Sequence, residues 1–329
     1  MSSLFDSVDV GVFVLGMHRS GTSAATRLIN LLGVRTPRED DLVPASEKNL
    51  KGYWESMSLV AFNMRVLAAV GSNMSCPVAL EPGWEDDPRL DDLRREAPEA
   101  LRQVFPTAPW VWKDPRNCLV FDFWRSTLAV QPVGVLVTRN PLEIVASSRR
   151  ARSDQGKIYA LALWERYLRQ ALGQIVGLPV LITDYEKLLA TPLAWCEQAH
   201  EFLTDAGVTA QAHRDSDVLA FVDAGLRNAE FTRAEFLDDS DVSDAQRALF
   251  LALQQLEGRH DVFPRPALPA ETPTTEALLA ERRRALQIKD ELSRLLEIER
   301  RSRRWSRVRS SRYTAPARRV YASVRRLLL

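Results

Sequence analysis

The run Val10-Gly-Val-Phe-Val-Leu15, followed by Gly16-Met-His-Arg-Ser-Gly-Thr-Ser23, constrains the fold more than any other part of the chain. The first six residues are short, apolar and β-branched, which predicts a buried strand of a parallel sheet. From Thr22 to Leu32, small and apolar residues recur at helical spacing (Ala25, Leu28, Ile29, Leu32), and Gly33 stops the helix. Strand, glycine loop and helix therefore follow one another without a gap. A helix N-terminus offers N–H groups and the positive end of its dipole, so a loop of this kind cradles a phosphate or sulfate. Gly16 and Gly21 permit the tight turn and the close approach of backbone to anion.

The spacing is nearly that of a Walker A loop, but Thr22 stands where the lysine belongs. Arg19 instead supplies a fixed cation from inside the loop. His18 also lies in the loop and reads as a residue satisfied by its neighbours.

Further strand signals are Trp110-Val-Trp112, Val133-Gly-Val-Leu-Val-Thr138 and Leu178-Pro-Val-Leu-Ile-Thr183. Helical patterns lie between and after them: 59–70, the stretch through Phe121 and Trp124, 141–151, 158–175, 184–189 and 193–203. Residues 34–55 and 71–92 read as loops, and 205–260 as helical and irregular. Strands alternating with helices predict an α/β fold: a three-layer P-loop-type domain with a mostly parallel sheet. The expected boundaries are a domain over 1–262, a Pro-rich linker over 263–274 and a helix over 275–308. In that helix Leu278, Ala285, Ile288, Leu292 and Leu295 fit a short coiled coil able to pair two copies through 275–300. A basic amphipathic tail, 309–329, follows.

Charge divides the chain. Of its 44 Lys and Arg residues, 11 arginines lie between Arg300 and Leu329, where there is no acid. Residues 1–299 thus hold 33 basic against 43 acidic side chains, a net charge of about −10. In the tail Val320, Val324 and Leu327 share a helical face flanked by arginines, a pattern suited to an anionic membrane surface. Arginine blocks also bind nucleic-acid phosphates, but unselectively, so no specific nucleic-acid partner is expected. The first nine residues lack the basic and apolar regions of a secretory signal. No apolar run approaches the ~20 residues of a membrane span. A cytoplasmic protein, peripheral at the inner face of the membrane, is the expectation. The scattered cysteines Cys76, Cys118 and Cys196 read as reduced core thiols with no metal-ligand spacing.

A second motif follows the third strand: Arg139-Asn-Pro-Leu-Glu-Ile-Val-Ala-Ser147. Arg139 falls at the strand's carboxyl end, where open α/β sheets bind ligands. Ser147 lies about two helical turns on. An arginine and a hydroxyl so placed clamp a second phosphate, with bidentate donors from the arginine.

With both motifs in this order, residues 8–205 resemble the sulfotransferases that use PAPS (3′-phosphoadenosine-5′-phosphosulfate), in particular bacterial and glycan-directed members. Arg19, Ser20, Gly21, Thr22 and Ser23 resemble the family's 5′-phosphosulfate loop, with Arg19 at the place of its usual lysine. Arg139 and Ser147 match its 3′-phosphate motif. Gly52-Tyr-Trp-Glu55 resembles the segment that supplies a glutamate base in glycan sulfotransferases. The resemblance implies that Glu55 takes the acceptor hydroxyl's proton, a role favoured by partial burial beside Tyr53 and Trp54. Trp112-Lys-Asp-Pro-Arg116 resembles a segment whose lysine contacts the transferring group. Lys113 would then stabilise charge on the bridging oxygen, with Asp114 or Arg116 orienting it or the acceptor. Thr183-Asp-Tyr-Glu186 resembles a segment whose tyrosine lies near the adenine, making Tyr185 a stacking candidate. The family's C-terminal glycine- and lysine-rich loop has only a faint counterpart in Ala224-Gly-Leu-Arg-Asn228, with Arg227 as an extra phosphate ligand.

The implied activity is sulfuryl transfer from PAPS to a hydroxyl, with a glycan or glycolipid as acceptor. No metal is expected, because no carboxylate and hydroxyl are placed like a nucleotidase Mg²⁺ site. Two alternatives stay open at this level: another P-loop transferase of kinase type, and a non-catalytic membrane-associated scaffold.

Overall fold

The computed structural model describes residues 9–46, 51–150, 156–222 and 230–312, except for the side chains of 149–150 and 301–312. The faint loop candidate around Arg227 and the tail beyond 312 lie outside these. The chain divides into two compact units, Met1–Leu279 and Ala280–Leu329.

The first unit is an α/β domain around a five-stranded sheet of order β2-β1-β3-β4-β5. Strands β1 (Val10–Leu15), β2 (Trp110–Lys113), β3 (Gln131–Thr138) and β4 (Val180–Asp184) are parallel. The register places Val14 beside Lys113, Leu15 beside Leu136 and Thr138 beside Asp184. The carboxyl ends of these strands therefore line one edge, and the chain reverses direction across the sheet between β1 and β3. An open α/β sheet binds its ligand at such a switch point.

Alternation along the strands divides the core. Val12, Val14, Val111, Val133, Val135 and Val137 pack with Leu28 and Ile29 of α1 (Thr22–Leu31) and Trp195 and Phe202 of α8 (Pro192–Asp205). On the alternate positions Phe13 meets Phe121 at 4.9 Å and Trp112 meets Trp124 at 4.7 Å, both edge to face. Phe121 and Trp124 belong to α4 (Asn117–Thr127), which packs on α6 (Lys157–Gln174). Both faces of the sheet are covered, which is why the strands read as continuous apolar runs rather than alternating ones.

The remaining helices are α2 (Met57–Ala69), α3 (Asp91–Val104), α5 (Pro141–Arg150), α7 (Tyr185–Ala190), α9 (Asp215–Phe221), α10 (Arg233–Asp238), α11 (Asp244–Gln255) and α12 (Thr275–Arg312). Two elements depart from the sequence reading. Helix α3 buries Leu93, Ala97, Leu101 and Val104, a stripe hidden in the sequence by seven charged residues and an internal Pro98. Strand β5 (Gly258–His260) pairs antiparallel with β4 and has no strand-like sequence; pairing alone defines it.

The Pro-rich segment packs as a strap within the first compact unit, which runs to Leu279. Arg166 of α6 is 2% exposed and is gripped by both oxygens of Glu271 at 2.8 Å and by Glu276 at 2.8 Å. Glu165, fully buried, accepts from the Thr272 amide at 2.9 Å and the Thr275 hydroxyl at 3.2 Å. Buried charges on α6 require partners, and the strap supplies them.

In the second unit α12 exposes Ile288, Leu292, Leu295 and Ile298, each more than half accessible. No helix among the described residues is long and apolar enough to cross a membrane.

Candidate functional site

The loop between β1 and α1 is held by its own backbone. The Ser20 amide donates to Met17 O at 3.1 Å, and the amides of Ala24 and Ala25 donate to Gly21 O at 2.9 and 3.2 Å. Gly16 adopts φ 144° and Gly21 φ 98°. Gly21 is the N-cap of α1, so no side chain caps the helix, and its first turn carries no acid. That leaves the dipole end uncompensated, as an anion site requires. A Cβ at Gly21 would also stand 2.1 Å from the Tyr185 ring, so no larger residue fits there.

Among the described residues only Arg19 (φ 73°) and Trp54 (φ 59°) are non-glycine residues at positive φ. Both lie in this site. Left-handed backbone at bulky residues costs about 1–3 kcal/mol and persists where surrounding contacts impose it.

The two sequence motifs meet. The guanidinium Nε of Arg19 donates to the Ser147 hydroxyl at 2.9 Å, joining the loop to α5. Arg139, just past the end of β3, donates from Nη1 to Arg19 O at 3.1 Å and from Nε to Glu143 at 2.7 Å. Its guanidinium lies 4.6 Å from the centre of the Tyr185 ring. The side chain is only 7% exposed, yet its Nη2 has no hydrogen-bond partner among the described residues. The Ser20 hydroxyl, 1% exposed, has none either. Two buried donors thus find no acceptor among the described residues, an arrangement that costs stability unless a ligand completes it.

Tyr185, the stacking candidate of the sequence, sits between the loop and Arg139. Its ring is 5% exposed, packed against Gly21 and carrying Arg139. It seats the arginine. Glu143, which the sequence reading passed over, fixes the other side of Arg139. The i,i+4 spacing of the two was the available signal.

A second cluster forms at the end of β2. The Lys113 ammonium, 4% exposed, contacts Glu55 Oε1 at 2.5 Å and donates to Tyr53 O at 3.0 Å. Glu55 Oε2 lies 3.5 Å from Arg116 Nη1, which also contacts Asp114 Oδ1 at 2.8 Å. The Ser23 hydroxyl donates to Tyr53 O at 3.2 Å, so the 52–55 segment rests on the anion loop. The neighbours of Glu55 are thus cations. The aromatic rings beside it in sequence are engaged elsewhere: Trp54 with Lys51 O and under Arg27, Tyr53 with Ser46.

Burial pushes the Asp114 carboxyl above its usual range, against the pull of Arg116. His18 is held down to about 4, by burial first and then by Arg19, Arg116 and Lys113. It is therefore a neutral imidazole at pH 7, set edge-on to Tyr167 at 5.8 Å. Two contacts had no sequence signal: Asn63 of α2 bonded to Asp114 at 2.9 Å, and the Gly16 amide bonded to the buried Cys118 sulfur at 3.0 Å.

Beyond Arg139 a cavity of about 300 Å³ opens between the ends of β3 and β4, lined by Thr138, Asp184, Lys187, Phe231 and Glu257 among others. Asp184 is pushed up to about 6, mainly by burial and further by Glu257, Glu186 and Glu143. Among the described residues no group of His, Cys, Asp and Glu side chains is arranged to hold a metal ion.

No family model matches the chain, and no curated protein matches it. Among solved structures it is similar to the sulfotransferase domain of the Synechococcus PCC 7002 olefin synthase, at 18% identity over 85% of this chain and 96% of that one, with a TM-score of 0.40. It is also similar to the sulfotransferase domain of the curacin biosynthetic pathway, at 14% identity over 84% and 98%, TM-score 0.40. Sulfotransferase STF9 from Mycobacterium avium is 13% identical over 80% of each chain, with a TM-score of 0.43.

Proposed function

We propose that this protein transfers a sulfuryl group from PAPS to a hydroxyl of an acceptor, and that the acceptor is a glycan or glycolipid. The observation that carries the reading is the buried Nη2 of Arg139, without a partner among the described residues, and the start of α1 without a side-chain cap. A nucleotide with one phosphate group at the loop and a second on a separate ribose carbon fits this pair of anion positions. A nucleoside di- or triphosphate, with all its phosphates in one chain, does not. The kinase alternative also lacks its lysine: Thr22 holds that position and is 3% exposed.

Ser20, Thr22, Ser23 and the first-turn amides of α1 would hold the 5′-phosphosulfate, with Arg19 as the fixed cation. Arg139 and Ser147 would hold the 3′-phosphate. PAPS, when bound, supplies a sulfuryl group already activated for transfer. What the chain adds is alignment and charge stabilisation. Lys113 sits 2.5 Å from Glu55, so cation and base are held at one point beside the loop. Glu55 accepts the acceptor's proton while Lys113 balances charge on the departing side.

The glycan or glycolipid reading draws on the 52–55 segment lying against the loop through Ser23. The basic tail would bring the enzyme to anionic lipid at the cytoplasmic face of the membrane, and α12 would pair two copies through 275–300. Calorimetry with 3′-phosphoadenosine-5′-phosphate (PAP) against ADP tests the core of the reading. PAP is expected to bind at least tenfold more tightly, and equal or absent PAP binding overturns it. Transfer of labelled sulfate to a panel of glycosides tests the acceptor. Co-sedimentation of the full chain with phosphatidylserine vesicles, with and without Arg318, Arg319, Arg325 and Arg326 changed to Ser, tests the tail.

A further inference from the structure

The charged cluster around Glu55 is anchored by a residue that touches neither Glu55 nor the loop. Asn63 lies on α2, fully buried. Its Oδ1 accepts from the indole N–H of Trp124 at 2.7 Å. An indole nitrogen only donates, so this bond decides which way the amide points. The Nδ2 group is thereby aimed at Asp114 Oδ2, at 2.9 Å, and at Asn117 Oδ1, also at 2.9 Å. The other Asp114 oxygen accepts from the Arg116 backbone amide at 2.9 Å and from Arg116 Nη1 at 2.8 Å. Arg116 Nη1 then reaches Glu55 Oε2 at 3.5 Å. An unbroken chain of contacts thus runs from the aromatic core at Trp124 to one oxygen of Glu55, while Lys113 holds the other.

We propose that Asn63 is a positioning residue for sulfuryl transfer. Through Asp114 it sets the guanidinium of Arg116, and Arg116 keeps Glu55 aimed when Lys113 turns to the reacting group. The inference rests on Glu55 as the base. Asp114 is wholly removed from water, so a carboxylate there persists only while its donors remain. Removing the Asn63 amide takes one donor away, favours the protonated acid and loosens the grip on Arg116. Arg116 itself has little else to hold it among the described residues: Nη2 meets the Met74 sulfur at 3.1 Å, and Nε has no partner there. The rest of the cluster does not depend on Asn63, because Lys113 is tied separately to Tyr53 O.

The test uses the full chain and the slow release of PAP from PAPS with water as acceptor, in which the water proton goes to Glu55 and sulfate leaves. Asn63→Ala is expected to lower kcat by roughly 10- to 100-fold, the scale for a displaced catalytic group. PAP affinity is expected to hold within about twofold, because no residue of the anion loop is touched. Asn63→Asp, which has the same shape and keeps the Trp124 bond, is expected to lose rate likewise; it serves if the alanine variant does not fold. The decisive comparison is made in a Glu55→Gln background. If Asn63 acts only through Glu55, the second substitution adds less than about twofold there. A multiplied loss in that background, or a fall in PAP affinity, makes Asn63 merely structural and overturns the proposal. A wild-type rate for Glu55→Gln alone removes the base and this role with it. Failure of PAP to bind the unmodified chain instead sinks the sulfotransferase reading.

Discussion

The two halves of the site treat charge in opposite ways. Around Arg139 and the loop, Nη2 of Arg139 and the hydroxyl of Ser20 are buried with no partner among the described residues, and α1 begins without a side-chain cap. Around Glu55, every charge is answered within the protein, by Lys113, Arg116, Asp114 and Asn63 in turn. On the proposed function the first half receives an anion that arrives from outside. The second is pre-assembled and has only to exchange partners during a reaction. A buried group left unsatisfied costs about 1–3 kcal/mol, a cost that ligand binding returns. The loop half should therefore govern affinity and the Glu55 half should govern rate.

Substitutions can break this contrast, and the largest effect should come from the rate half. Glu55→Gln is expected to lower turnover by about 10²- to 10⁴-fold, the range for loss of a general base, with PAP affinity unchanged by calorimetry. Equal losses of turnover and affinity would merge the two halves into one. Next in size is Arg139→Ala, which removes charged hydrogen bonds worth about 1.5–3 kcal/mol and should weaken PAP roughly 10- to 150-fold. ADP should be affected much less, and an equal loss for both nucleotides would remove the clamp.

Gly21→Ala sharpens the comparison further. Its Cβ would collide with the Tyr185 ring at 2.1 Å, and the φ of 98° disfavours any side chain. Overpacking of this kind costs about 1–3 kcal/mol and should appear as a lower melting temperature together with weaker PAP binding. Tyr185→Ala in the same background should recover part of the stability, since it removes the clashing ring.

The smallest effect concerns a carboxyl outside both halves. Asp122 is raised to about 6, by burial first, then by Glu85 and against Arg125. An unfolded aspartate titrates near 3.9, so between about pH 4 and 6 the folded chain holds the extra proton. Stability therefore falls as pH rises through that window, and the cost is complete above it. Asp122→Asn should raise the melting temperature at pH 7 by about 2–4 °C, a figure moderated by solvent screening of a partly exposed group. The gain should fade near pH 4, and a gain independent of pH would exclude Asp122 as its source.

Much of the fold was legible because the four parallel strands are short apolar runs with a glycine, a lysine, an arginine or an aspartate at or just past their ends, and that pattern is local. Helix α3 was not, since its stripe of Leu93, Ala97, Leu101 and Val104 is diluted by charge and interrupted by Pro98. Nor was β5, which has no intrinsic preference and exists only by pairing with β4. In the site, Arg19, Arg139 and Ser147 stood out by residue type and spacing, while Glu55 and Lys113 were singled out only by the resemblance of their segments to sulfotransferase motifs. Asn63, Glu143 and Cys118 did not, because a buried amide, a helix glutamate and a lone thiol look the same wherever they occur.

What the sequence determined by itself was a strand, an uncapped glycine loop and a helix, with an arginine and a serine one motif further on. Those depend on backbone sterics and side-chain chemistry over a few neighbouring residues. Which groups face one another was decided only by the tertiary structure. The parallel register brings the ends of β1, β2, β3 and β4 to one edge, and packing then places Tyr185 under Arg139 and Asn63 behind Arg116. Contacts across 30 to 130 residues of chain depend on how layers stack, and no local pattern encodes that. The same stacking turned a proline-rich stretch, readable as a spacer, into a strap, because the buried charges of α6 had to find partners somewhere.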